Sequence, residues 1–147
     1  LEPYKIGQHR HTPEIEQELS GLRNQVGPVT VTFTPHLVPM NRGILSTAYC
    51  RLTHAMPLAD LRGLYREFYK NERFVRLCDE IVPNPRYIKG TNYCDVGVYM
   101  DPRAGWVVTV AAVDNLVKGA AGQAIQAMNL MLGLPEETGL TAPGSYP

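Results

Sequence analysis

The stretch from Cys94 to Val113 constrains the fold more than any other part of the chain. Cys94 to Met100 alternates around Val96 and Val98, the period of a strand with one buried face. Asp101-Pro102-Arg103-Ala104-Gly105 is a turn composition, and Trp106 to Val113 follows it as a second β-rich run. The pattern predicts an antiparallel hairpin. Its second arm, with Val107, Val108, Val110, Ala111, Ala112 and Val113, is nearly all apolar and predicts a central strand covered on both faces.

The remaining elements arrange themselves around that sheet. Val29 to Thr34 sets Val29, Val31 and Phe33 against three threonines, which predicts a strand; Ile44 to Leu52 predicts another, paired with it as a neighbour. Phe74 to Leu77 suits a short strand. Three helices are expected. The first runs from Thr12 to about Val26 on the stripe Ile15, Leu19, Leu22 and Val26, with Thr12 as N-cap, Pro13 at the first helical position and Gly27-Pro28 as the stop. The second runs from Pro57 to about Tyr69 on Leu58, Leu61, Leu64, Tyr65 and Phe68. The last runs from Asp114 or Asn115 to Leu132, with Val117, Ala121, Ile125, Met128 and Leu132 on one face and Gly133 as the stop. Its opening turn, Gly119 to Gly122, is made of small residues that favour close approach of another backbone or a ligand. The tail from Pro135 to Pro147 reads as coil. The fold class is α+β, with a mixed, mostly antiparallel sheet and helices on one face.

Composition excludes several classes of function. The 147 residues carry 14 basic and 14 acidic side chains without a long run of either sign, so no nucleic-acid or acidic-membrane surface is expected. No apolar run is long enough to span a bilayer and no secretory signal pattern is present, which predicts a soluble protein with no membrane partner. At 44% hydrophobic content, residues 1–147 suffice for one domain with one core. Cys50, Cys78 and Cys94 are odd in number and lack CxxC spacing, pointing to a reducing compartment, cytoplasmic or organellar, rather than to disulfides or a zinc knuckle. The chain starts without methionine, inside what reads as a loop, and is taken as part of something longer.

The chemistry-bearing run is His9-Arg10-His11-Thr12-Pro13-Glu14. Residues ahead of a helix start are expected to be extended, so that side chains at i and i+2 face one cleft and both imidazoles can serve it. The pair lacks a third ligand at a recognised interval, so a proton-transfer or substrate role outweighs a metal site; His36 and His54 read as ordinary loop histidines. Cys50 and Cys94 lie in strand patterns and read as buried small hydrophobes, while Cys78 stands beside Asp79 and Glu80, which raise a thiol's pKa instead of activating it. No nucleophile is therefore expected among these residues. Arg42 is a candidate anion ligand, and a solvated loop arginine is the plain alternative. The glycines at 119 and 122 do not form a dinucleotide fingerprint.

Three separated motifs carry a family resemblance: His9-Arg10-His11-Thr12-Pro13-Glu14-Ile15; Phe33-Thr34-Pro35-His36-Leu37-Val38-Pro39 with Arg42-Gly43-Ile44; and Asp114-Asn115-Leu116-Val117-Lys118-Gly119-Ala120-Ala121-Gly122-Gln123-Ala124. In that order, and along the whole chain, it resembles the C-terminal substrate and dimerisation domain of the N-acetyl-gamma-glutamyl-phosphate reductases. Aspartate-semialdehyde dehydrogenases share the third motif but not the first.

The resemblance implies the C-terminal fold of the glyceraldehyde-phosphate and semialdehyde dehydrogenase type. It implies NADPH-dependent reduction of N-acetyl-glutamyl 5-phosphate to the 5-semialdehyde with release of phosphate, in arginine biosynthesis. NADP(H) would be held mainly by an N-terminal Rossmann domain, absent from this chain together with the cysteine nucleophile, so the 147 residues alone are expected to be inactive. By position, His11 is the expected general base, next to a helix start whose dipole disfavours imidazolium, with His9 beside substrate or nicotinamide; the reverse assignment stays open. Arg10, Glu14 and Arg42 would contact substrate, and Asn115 and Gly119 would approach the nicotinamide. No metal is implied, and a homo-oligomer, dimer or tetramer, is. The alternatives are a related acyl-phosphate reductase of lysine-type biosynthesis, an aspartate-semialdehyde dehydrogenase, and a non-catalytic oligomerisation module.

Overall fold

The computed structural model describes residues 1–23 and 27–145, which fall into two compact units, the first comprising residues 1–41 and the second beginning at Arg42. In the first unit a two-residue antiparallel ladder joins β1 (Glu2–Pro3) to β2 (His36–Leu37), and Thr12–Leu22 forms helix α1. The predicted end of α1 at Val26 lies outside the described residues. Its N-cap is His11, with helical φ −84° and ψ −10°, instead of Thr12, so no side chain caps the helix and the Thr12 hydroxyl is buried without a partner.

The strand predicted over Val29 to Thr34 does not form. Alternation signals a strand only where a partner strand meets its backbone donors. Here α1 meets them instead. The Val29 N–H donates to Ser20 Oγ at 2.8 Å and the Val31 N–H to a Glu16 carboxylate oxygen at 2.9 Å. The expected pairing of this segment with the strand starting at Ile44 is therefore also absent.

The second unit is built on a four-stranded sheet in the order β3-β6-β5-β4. β3 is Ile44–Cys50, β4 Val75–Leu77, β5 Cys94–Asp101 and β6 Trp106–Val113. The hairpin forms as expected, with Cys94 opposite Val113 and Asp101 opposite Trp106, and β6 is central because β3 pairs along its other edge from Ile44–Val113 to Cys50–Val107. β4 runs parallel to β5, which makes the sheet mixed. Helix α2 (Leu58–Phe68) packs over β5 and buries Leu61 against Val98 and Val107, with Leu52, Met56, Leu58, Tyr65 and Met100 around them. Burial of such side chains stabilises by about 1.5–3 kcal/mol each.

Coverage of the sheet differs from expectation. Only Val107 and Ala112 of β6 are fully buried, and all seven residues of the edge strand β3 are exposed, which means that no described element covers either face of β3.

The short helix α3 (Pro85–Ile88) is capped by Asn84, whose side-chain oxygen accepts from the Arg86 N–H at 3.0 Å. The final helical run opens with one π-helical turn, Val117–Ala121, and continues as α4 (Gly122–Met131). The π turn closes through Gly119 N–H to Asp114 C=O and Ala121 N–H to Leu116 C=O. The apolar stripe predicted to face the core points outward: Ile125, Met128 and Leu132 are exposed, and the buried residues of α4 are Gly122, Gln126 and Asn129. Partners in the tail explain the reversal. Asn129 donates to the carbonyls of Glu136 and Thr138 at 3.0 and 2.9 Å, and Gln126 donates to the Glu136 carboxylate while accepting from Asn92 and Lys118. The small-residue turn serves tight packing, since a Cβ on Gly122 would run into Asn92 Oδ1 and come within 2.8 Å of the Val117 carbonyl.

Candidate functional site

The histidine pair sits where the chain turns twice in succession. A turn closed by Gln8 N–H to Lys5 C=O leads into a second closed by Thr12 N–H to His9 C=O, so His9-Arg10-His11 is not extended. The expectation that both rings face one cleft through i, i+2 alternation is corrected accordingly. The turn brings the rings together by another route, edge to face with centroids 4.9 Å apart, but gives them different environments. His9 is buried and His11 is exposed.

His9 is enclosed by aromatic edges. Tyr4 meets it at 5.5 Å and Phe33 at 5.2 Å, both nearly perpendicular to its ring. Its Nδ1 accepts the backbone N–H of His11 at 3.3 Å, so the neutral ring carries its proton on Nε2. Burial, followed by the positive charges of His11, Lys5 and Arg10, pushes the His9 pKa below the ordinary histidine value. His9 is a neutral, anchored ring. Arg10 lies exposed in the turn and Glu14 exposed in the first turn of α1, where an acid suits the helix dipole.

A second cluster lies in the second unit, where β6 hands over to the π turn. Sequence reasoning selected Arg42, Asn115 and Gly119 there; it did not select Asp114, which organises them. The Asp114 side chain is fully buried. Its Oδ1 accepts from the N–H groups of Leu116 and Val117 at 2.8 and 2.9 Å and from Arg42 Nε at 3.2 Å. Its Oδ2 accepts from the Gly90 N–H at 2.6 Å and pairs with Arg42 Nη2 at 3.2 Å. Burial alone would raise the carboxyl pKa; the three backbone donors and the guanidinium outweigh it and hold it below the usual value. The available signal was an acid at the junction of an apolar strand and a helix start, a position where a carboxylate can accept the helix's free N–H groups.

Asn115 extends the same junction. Its Oδ1 accepts the Gly43 N–H at 2.7 Å, which leaves its Nδ2 amide group as the available donor. Gly43 has φ +98°, and a Cβ there would lie 2.5 Å from the Pro85 side chain, so only glycine fits beside Arg42. Gly119 is exposed on the π turn with its N–H spent on the Asp114 carbonyl.

Burial, with Asp95 nearby, pushes the Cys78 thiol up, and burial pushes Cys94 up. Cys50, at the end of β3, is exposed instead of buried, because no described element covers that strand's faces, and Cys94 is half-buried. Among the described residues no three His, Cys, Asp or Glu side chains converge as a metal site, and no helix is long and apolar enough to cross a membrane.

An α+β unit with a mixed sheet, an imidazole pair at a helix start, and a glycine-rich turn after the central strand match a known domain class. A family model described as semialdehyde dehydrogenase, dimerisation domain, matches residues 1–115, and the chain belongs to that family. The match spans both clusters up to Asn115. Among sequence relatives, a protein of Geobacter metallireducens named N-acetyl-gamma-glutamyl-phosphate reductase is 56% identical over 96% of this chain and 40% of its own length. Proteins of the same name from Geobacter sulfurreducens and Desulforamulus reducens are 57% and 51% identical over 91% and 100% of the chain. The chain spans about two fifths of the length of these relatives, 38–42%.

Proposed function

We propose that this chain supplies the histidine base, substrate contacts and subunit interface of an NADPH-dependent reductase that converts N-acetyl-glutamyl 5-phosphate to the 5-semialdehyde and phosphate. The observation that carries the reading is the division of labour between the two imidazoles, in a chain 50–57% identical to proteins named for that reaction. His9 has spent Nδ1 on a backbone amide and is held neutral, so it orients; the exposed ring of His11 is free to take and return a proton.

The nicotinamide nucleotide, when bound, supplies the hydride, and the residues that remain here suit its carboxamide end. Asn115 Nδ2 is a free donor for a carboxamide oxygen, and Gly119 offers an exposed backbone with no side chain in the way. Arg42 has committed its Nε–H and one Nη2–H to Asp114, leaving three N–H groups on Nη1 and Nη2 for an anionic substrate oxygen. Arg10 and Glu14, exposed at the histidine turn, are the further substrate contacts in this reading. The fully exposed β3, with Ile44, Leu45 and Tyr49, is suited to burial against a second copy, in a family described by dimerisation. A soluble nucleotide and a small acyl phosphate fit the cytoplasm, or an organellar stroma or matrix.

The test is reduction of N-acetyl-glutamyl phosphate by NADPH in the full-length protein, with aspartyl phosphate as the competing substrate. His11→Asn is expected to lower kcat at least about 100-fold, within the usual general-base contribution, and to remove the low-pH limb of the pH–rate profile, where the base becomes protonated. A His11→Asn enzyme within about tenfold of the parent overturns the base assignment, and preference for aspartyl phosphate overturns the substrate. The 147 residues alone are expected to show no turnover.

A further inference from the structure

We infer that Asp114 is the positioning residue of the Arg42–Asn115 cluster, fixing from one buried point the arginine that meets an anionic substrate oxygen and the asparagine that meets the nicotinamide carboxamide. The inference rests on the proposed roles of Arg42 and Asn115. Asp114 receives donors from three separate stretches of chain: Arg42 two residues before β3, Gly90 after α3, and Leu116 and Val117 at the helix start. Five donor contacts meet a carboxylate whose two oxygens offer about four lone-pair sites, so its accepting capacity is full.

The arrangement determines which groups stay free. Asp114 takes the Nε–H and one Nη2–H of the Arg42 fork, so the two Nη1–H groups and the second Nη2–H remain for another anion, held at a fixed angle. Asn115 follows Asp114 directly, with its side-chain oxygen on Gly43, the residue after Arg42. The pairs 42–43 and 114–115 are thus joined by adjacent side chains, and a shift at Asp114 moves both ligand contacts together. An asparagine at 114 cannot replace the carboxylate. Its amide would donate toward either Arg42 or Gly90, both themselves donors, and one contact turns repulsive in either rotamer.

The experiment compares Asp114→Asn, Arg42→Ala, Asn115→Ala and Asn129→Ala in the full-length protein. KM for the acyl phosphate is read from initial rates and Kd for NADPH from fluorescence titration. Asp114→Asn is expected to weaken both by about tenfold to a hundredfold, the scale of a misplaced contact. Asn129→Ala, buried in the same unit but remote from this cluster in its bonding, is expected to lower Tm and leave both constants unchanged. In the Arg42→Ala background, Asp114→Asn should add no further rise in KM, because its effect on substrate passes through Arg42.

If Arg42→Ala and Asn115→Ala weaken neither ligand, the proposed roles of those residues fail. If they do weaken binding while Asp114→Asn stays within about twofold of the parent, or if its effect on KM persists undiminished without Arg42, the positioning inference is overturned. Should Asp114→Asn not fold, Asp114→Glu keeps the charge but displaces it by one methylene; parental KM and Kd in that variant overturn the inference equally.

Discussion

The backbone N–H of His11 donates to Nδ1 of His9, 3.3 Å away, so the imidazole that opens the second turn holds the N-cap residue of α1 in place. The bond exists only while Nδ1 is unprotonated, which ties the start of α1 to the charge state of a buried ring.

Stability is therefore expected to depend on pH through His9. Burial and the charges of His11, Lys5 and Arg10 lower its folded pKa, so the unfolded chain binds the proton more readily. The contribution is present above the unfolded value near 6.5 and is lost as pH falls through the folded pKa. Urea denaturation midpoints measured between about pH 7.5 and 5 should fall with pH, and His9→Gln should flatten that decline. An unchanged slope in the variant would remove His9 as the cause.

Two glycine-to-alanine changes in helical segments of the second unit should act in opposite directions. At Gly63, inside α2, nothing lies within 4 Å of an added Cβ, and Gly63→Ala should stabilise by about 0.5–1 kcal/mol through helix propensity. At Gly122 the added methyl meets Asn92 and Val117, and Gly122→Ala should destabilise by about 1–3 kcal/mol despite the same propensity gain. Thermal unfolding of the pair reads the sign directly.

Asn129→Ala should free the C-terminal segment. It removes two side-chain donors from the carbonyls of Glu136 and Thr138, each worth about 0.5–1.5 kcal/mol. Limited proteolysis is expected to cut between residues 134 and 145 in the variant at protease levels the parent resists, with Tm lowered.

Ser20→Ala should loosen the segment after α1, because Ser20 Oγ accepts the Val29 N–H. A loss of about 1 kcal/mol and faster hydrogen exchange at Val29 are expected, with the β3–β6 amides unaffected. Protection of Val29 in the variant would show that another acceptor holds it.

The hairpin, α2 and the short parallel strand were legible because each carries its own period, turn or cap, and a local pattern suffices where burial of that pattern is the main driving force. Val29 to Thr34 misled because alternation states what a strand would bury, not whether another strand is there to bond it; Glu16 and Ser20 were. The outward face of α4 misled for the converse reason. Gln126 and Asn129 are costly to bury only without partners, and Asn92, Lys118 and the tail supply them. Within the two candidate clusters, the residue types of His9 and His11 in the first unit and of Arg42 and Asn115 in the second stand out from motif and residue chemistry, whereas Asp114 becomes visible only when three distant segments converge on it.

By itself the sequence determined where α1 and α2 lie to within a residue or two at their starts, the hairpin with its central arm, the residue types able to transfer protons or bind anions, and the family to which they belong. Those follow from short-range periodicity and local chemistry. Tertiary structure alone decided that His9 is enclosed and His11 open, and that Arg42 spends two of its five N–H donors on a buried acid. Burial and hydrogen-bond partnership are set by residues far apart in the chain, and they fix which atoms of a reactive side chain remain free to act.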